Sequence, residues 1–214
     1  YYNKGEFEKS ALELKTSNQA DQNTADTYYY LALLDEKNRQ FKSMRENLQK
    51  ALELSPRNVE ARLKLGKLEL LYGEFDVALD HVKELLNINP ENKEALLLKA
   101  SVLIKQKKND AATDIIDIIL KTNPNYADAL ALKAFLTGLR DQNSDEALKL
   151  INSAIKNDEK NIELRLFKIQ LDAKNNNIAS VINDYKELVD LYPDNNEFKI
   201  ALAKVYIQDK KPNE

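Results

Sequence analysis

Apolar residues recur every three or four positions along almost the whole chain, with charged and amide residues between them. Residues 59–92 show the pattern clearly. Leu63, Leu65, Leu68, Leu70 and Leu71 are followed by Phe75, Val77, Ala78, Val82, Leu85 and Leu86. That spacing predicts two amphipathic helices in succession. Gly73 stands between them, where the chain must turn. Asn58, Asn92, Asn161 and Asn195 precede first helices of the same kind, and an amide oxygen there caps the free N–H groups of the opening turn. Pro56, Pro90 and Pro193 lie two residues before three of these asparagines and stop the preceding helix.

The pattern repeats. Pro56, Pro90 and Pro124 are 34 residues apart, and Pro193 lies 69 further on, with Glu159 in the intervening place. Phe7, Phe41 and Phe75 keep the same step. So do Ala61, Ala95 and Ala129, continued by Leu164 and Phe198 after a one-residue shift. A small-residue ladder runs Ala32, Gly66, Ala100, Ala134, Ile169 and Ala203, and a fourth runs Ser10, Met44, Ala78, Ala112, Ala147 and Val181. Repeats of a fixed period in this range mark a solenoid. The register divides a single array into full repeats 25–58, 59–92, 93–126, 127–161 and 162–195, with partial repeats 1–24 and 196–214. The extra residue in 127–161 is expected in the inter-helix turn around Arg140 to Ser144. The small-residue ladder and the phenylalanine ladder are expected in the core, the small residues letting paired helices approach and the phenylalanines filling the gap between pairs.

These residues resemble the tetratricopeptide repeat, a 34-residue helix–turn–helix unit with Leu-Gly, Ala and Pro at fixed offsets. In 59–92 the matching residues are Leu65-Gly66, Ala78 and Pro90. The resemblance covers essentially the whole chain. It implies an all-α solenoid of antiparallel helix pairs forming a right-handed superhelix. The first aromatic position of the pattern holds Tyr28, Arg62, Leu96, Leu130, Arg165 and Lys199, never Trp. Lys99, Lys133 and Lys168 replace the usual Leu before the small residue, and their stems are expected to snorkel.

A narrower resemblance rests on Tyr1-Tyr2-Asn3-Lys4-Gly5-Glu6-Phe7, on Arg62 to Leu68 and on Ala95 to Ala100. These segments are similar to bacterial multi-repeat envelope lipoproteins of the exopolysaccharide/PEP-CTERM-associated type. That would imply a periplasmic protein tethered to the outer membrane, the alternative being a cytoplasmic one. Both ends of the chain fall inside repeats, so a longer protein is expected.

Composition narrows the function. Acids outnumber bases, for a net charge of −3, which argues against a nucleic-acid partner. No stretch is apolar enough for direct membrane insertion. With no Cys, disulfides, thiolate catalysis and Cys-based zinc sites are excluded. The lone histidine, His81, has no metal-ligand companion and is read as a surface or half-buried residue. Carboxylates such as Glu69 and Asp80 read as helix-face residues, and the four glycines are isolated, so no phosphate loop exists. The basic run Lys105 to Lys108 sits at a helix end, where it complements the dipole. No catalytic, metal or cofactor site is expected, and the chain is read as a non-enzyme.

Positions 4, 8 and 11 of each first helix point to the core, and positions 2, 5, 9, 12 and 13 lie opposite. In the family it resembles, that opposite face lines the concave side. Position 2 is acidic throughout: Asp26, Glu60, Glu94, Asp128, Glu163 and Glu197. Position 5 is Tyr29, Leu63, Leu97, Ala131, Leu166 and Ile200, and position 9 is Leu33, Lys67, Ser101, Phe135, Gln170 and Lys204. The acids complement the helix dipole or form a functional rim. The apolar ladder packs neighbouring first helices or accepts a partner segment. The Lys positions with which some relatives grip a C-terminal carboxylate hold Leu or Ala here, which argues against that mode. The leading expectation is a scaffold holding a protein or peptide on positions 5 and 9. The rivals are a self-associating structural spacer and the recruiting arm of an enzyme encoded outside this sequence.

Overall fold

The computed structural model describes residues 24–140 and 145–209. These form eleven helices and no strand. In chain order they are α1 (Ala25–Lys37), α2 (Phe41–Leu54), α3 (Val59–Tyr72), α4 (Phe75–Ile88), α5 (Lys93–Lys105), α6 (Asn109–Thr122), α7 (Ala127–Arg140), α8 (Asp145–Asn157), α9 (Ile162–Lys174), α10 (Ile178–Leu191) and α11 (Asn196–Gln208). The chain divides into two compact units at Lys108–Asn109. In the first, α1 packs on α2, α2 on α3, α3 on α4 and α4 on α5, and α3 also touches α5. In the second, each helix from α6 to α11 packs on the next. Residues 1–23 of the first partial repeat, with Phe7 and Ser10, and residues 141–144, where the extra residue is expected, lie outside the described residues.

The amides predicted to start first helices do so. The side-chain oxygens of Asn58, Asn92, Asn161 and Asn195 accept from the backbone N–H groups of Ala61, Ala95, Leu164 and Glu197 at 2.8–3.2 Å. Thr24 caps α1 in the same way, accepting from Thr27 N–H at 3.2 Å. Each of these helices, and α7, also carries its position-2 acid in the first turn, where it faces the positive end of the dipole.

Four intra-repeat turns pass through a left-handed backbone at position 15, held by Arg39 (φ 57°), Gly73 (φ 80°), Lys107 (φ 61°) and Asn176 (φ 56°). Only Gly73 carries no penalty there, because a β-carbon crowds the following carbonyl oxygen. Arg39→Gly and Lys107→Gly are each expected to raise stability by about 0.5–1 kcal/mol, and Asn176→Gly by less, since Asn tolerates this region better. Urea midpoints followed by circular dichroism check this, and Gly73→Ala should move the other way.

The core follows the ladders with two exceptions. Ala61, Ala95, Ala129, Leu164 and Phe198 are buried, as are Met44, Ala78, Ala112, Ala147 and Val181. Ala32, Gly66, Ala100, Ala134 and Ile169 are buried too, but Ala203 is exposed. Phe41 is the other exception: it is 36% exposed at the start of α2, while Phe75 is half-buried against Ala78, Val82 and Leu98. Gly66 is tight: a β-carbon there would stand 2.8 Å from Leu98 Cδ2.

A polar layer crosses this core at position 11, which the periodicity assigns to the interior. It holds carboxylates in three repeats: Asp35, Glu69 and Asp172. Asp35 accepts from the Asn47 amide at 2.7 Å. Glu69 is fully buried and takes a two-pronged pair from Arg45 on α2, Nε to Oε1 at 2.8 Å and Nη2 to Oε2 at 2.7 Å. The Arg45 guanidinium also lies 5.6 Å from the Tyr72 ring centre. Glu69 is therefore not an idle helix-face acid near Asp80, as the sequence suggests, but the anchor between two repeats.

Lys168 corrects the snorkelling expectation. Its ammonium turns inward and donates to Asp184 Oδ2 at 2.6 Å, to Asp172 Oδ2 at 3.0 Å and to Ser180 Oγ at 3.1 Å. Ser180 Oγ and Asn177 Nδ2 donate in turn to Asp172, at 2.8 and 3.1 Å. Burial opposes the lysine's charge, but its hydrogen bonds to the two aspartates outweigh it and hold its pKa above the ordinary value. Asp184 is pushed up by burial, because one ammonium serves two buried carboxylates. Lys133, by contrast, pairs with Asp117 at 2.7 Å while 37% exposed.

The arginines at position 4 have a shared use. Arg62 donates to the Pro56 carbonyl at 2.5 Å and Arg165 to the Glu159 carbonyl at 2.9 Å, each six residues upstream. They tie down the turn that enters their own repeat, the two acceptors sitting at the ladder's Pro and Glu positions.

Candidate partner-binding site

The second helices each carry one apolar stripe, whereas the first helices of the first unit have apolar residues around much of their circumference. A first helix packs against its own partner and against neighbouring repeats, so several of its faces are in use. What remains open on α1 and α3 is a groove.

A pocket of about 360 Å³ lies between α1, α2 and α3. Its lining from α3 is Glu60, Leu63, Lys64, Lys67, Leu68 and Leu71, which share one helix face. Tyr29 and Glu36 come from α1, and Phe41 and Met44 from the start of α2. The floor is apolar, with Met44 and Leu68 buried, while Leu71 stands 67% exposed at one end. Lys64 donates to Glu36 at 2.6 Å across the groove and neutralises it.

Tyr29, Leu63 and Lys67 are thus brought together in one pocket, all three expected on this face. The other nine residues read from positions 5 and 9 do not line it. Leu33, Leu97 and Ser101 are half-buried, and the Ser101 hydroxyl is taken by the Leu97 carbonyl at 2.9 Å. In the second unit, Ala131 packs on the cluster around Ala134 and Ile151, and Leu166 on the cluster around Ile169 and Val181. Phe135 is 37% exposed, with its ring 6.1 Å from that of Phe167. Gln170 and Lys204 are exposed, and Ile200 is 54% exposed. A pocket between α6 and α7, lined by Thr113, Ile116, Asp117, Lys133, Leu136, Thr137 and Arg140, contains none of the twelve.

Of the position-5 residues, Ala131 and Leu166 rest on buried clusters and Ile200 does not. Tyr29 and Leu63 also rest on buried clusters while keeping part of their surface at the pocket. Leu71, at position 13, lies on the face assigned to the groove and was legible by the same helical count. Phe41 was not, because its ladder reads as core.

His81 sits half-buried on α4 against Gly66, where burial, helped by the Arg62 charge, pushes its pKa down. Among the described residues, no group of three or more His, Asp or Glu is placed to hold a metal ion. No described helix is long and apolar enough to cross a membrane.

Two family models match the sequence, at residues 29–92 and 69–136, and both describe a tetratricopeptide repeat. Together they span just over half of the chain. The chain belongs to the tetratricopeptide repeat family. Tetratricopeptide repeats are generally scaffolds for protein interactions rather than catalysts.

Solved structures carry the same fold. A thermophilic tetratricopeptide repeat protein from Thermus thermophilus superposes with a TM-score of 0.74 at 16% identity, covering 86% of this chain and all of that one. PilF of Pseudomonas aeruginosa gives 0.64 at 20% identity, over 95% of this chain and 92% of that one. Yeast Tom70 gives 0.68 at 19% identity, over 95% of this chain and 44% of that one. At these identities the likeness is one of fold. No curated protein sequence matches the chain.

Proposed function

We propose that this tetratricopeptide array is a scaffold that holds a segment of a partner protein in the groove of its first helices, entered at the pocket between α1, α2 and α3. The observation that carries the reading is that pocket, an open cleft with an apolar floor in which Tyr29, Leu63 and Lys67 converge beside the exposed Leu71. Concave apolar surface with a few charged groups at its edge is the usual form of a peptide-docking groove. The comparisons lend no support to the envelope-lipoprotein type, and the proposal is confined to the groove.

Leu71→Glu is the cleanest test, because Leu71 is 67% exposed and its replacement leaves the core intact. Peptides enriched from a random displayed library on the full chain should bind Leu71→Glu about tenfold more weakly or worse. They should bind Lys83→Glu, on the exposed face of α4, as they bind the parent. Equal affinity for Leu71→Glu and the parent, with unchanged circular dichroism, would remove the groove assignment.

A further inference from the structure

The charges around the pocket are not all spent. Lys64 and Glu36 neutralise one another at 2.6 Å. Glu60 and Lys67 line the same pocket, both exposed and neither engaged in an ion pair among the described residues. They lie on one face of α3, seven residues apart, which sets them about 10 Å apart along the axis. Glu60 is at the start of the helix, beside Leu63, and Lys67 is two turns on, beside Leu68 and Leu71. The pocket therefore presents acid, apolar, base and apolar in that order, with Tyr29 and Phe41 as its opposite wall.

Resting on the groove reading above, we infer that the occupant is a partner segment of mixed charge. It carries a cationic side chain opposite Glu60, an anionic one opposite Lys67, and a large apolar residue in the seat formed by Phe41, Met44, Leu68 and Leu71. An opposite charge at each end gains attraction and fixes the segment's direction. A segment with two like charges meets one attraction and one repulsion. The net charge of the pocket lining is zero, so a uniformly basic or uniformly acidic partner gains nothing from it.

The test is to pan one random peptide library on the full chain, on Glu60→Lys and on Lys67→Glu. Peptides from the parent should carry one base and one acid flanking apolar residues. Those from Glu60→Lys should carry two acids, and those from Lys67→Glu two bases. A peptide selected on the parent should lose about fivefold in affinity on each charge variant, the size of an exposed ion pair. Peptides that bind all three proteins equally, yet are lost on Leu71→Glu, overturn the charge inference and leave the groove standing. Peptides indifferent to Leu71→Glu as well, or no enrichment at all, overturn the groove reading and this inference with it.

Discussion

Replacing Lys168 by methionine is expected to destabilise the α9–α10 pair by about 3–5 kcal/mol. The stem's volume is kept, so the loss comes from the charge. Asp172 is 2% exposed and Asp184 is 6% exposed, and among the described residues the ammonium is the one cation hydrogen-bonded to both. Without it two carboxylates remain buried at close range, with Ser180 and Asn177 donating only to Asp172. Urea denaturation by circular dichroism gives the size of the effect. Hydrogen exchange should place it in α9 and α10.

The pH dependence of this site has a definite sign. Lys168 has a raised folded pKa, so its stabilisation is full below the ordinary lysine value of about 10.4 and is lost as pH rises through the folded one. Asp184 is also raised. Its protonated form favours folding below the ordinary carboxylate value of about 3.9, and that contribution is lost as pH rises through the folded pKa. Asp184→Asn should accordingly cost little at pH 7, because Lys168 still pairs with Asp172. It should also abolish the acid-side part of the profile.

The second large effect is expected at Arg45. Arg45→Met should cost about 3 kcal/mol, near the low end for a broken buried pair because the Arg45 side chain is 37% exposed while Glu69 is fully buried. The effect should fall on the α2–α3 junction, since the pair joins the second helix of one repeat to the first of the next. Adding Glu69→Leu should restore most of the stability, because a matched apolar pair replaces an orphaned buried carboxylate. A double variant no more stable than Arg45→Met would mean that packing of the arginine stem, and not its charge, sustains the junction.

The repeat architecture was legible because it is written in short-range terms. The 3.6-residue periodicity, the capping asparagines and the ladder alanines each report on one turn of helix, and each recurs often enough to check itself. The polar layer was not, although Asp35, Glu69 and Asp172 stood at a position counted as interior. A carboxylate at a core-facing position was the available signal, but the partners of Asp35 and Glu69 lie on another helix, 12 and 24 residues away, so spacing alone does not name them. For Asp172 the i,i+4 spacing names Lys168, but not the second carboxylate, Asp184, that the ammonium also serves from the next helix. The groove was legible as a face and not as a pocket. Helical counting placed Tyr29, Leu63 and Lys67 together, while the contribution of Phe41 depends on how α2 starts beside α3. The same counting equated six repeats, but Ala131 and Leu166 pack on buried clusters and line neither of the pockets described.

We propose that the first-helix groove, and not the outer charged face, receives the partner. Amide chemical-shift mapping of the full chain with a peptide selected from a displayed library tests it most directly. The largest shifts are expected at Tyr29, Leu63, Lys67 and Leu71, with the exposed face of α4 around Lys83 and Glu84 silent. The largest shifts at Lys83 and Glu84, with α1 and α3 unmoved, would contradict it.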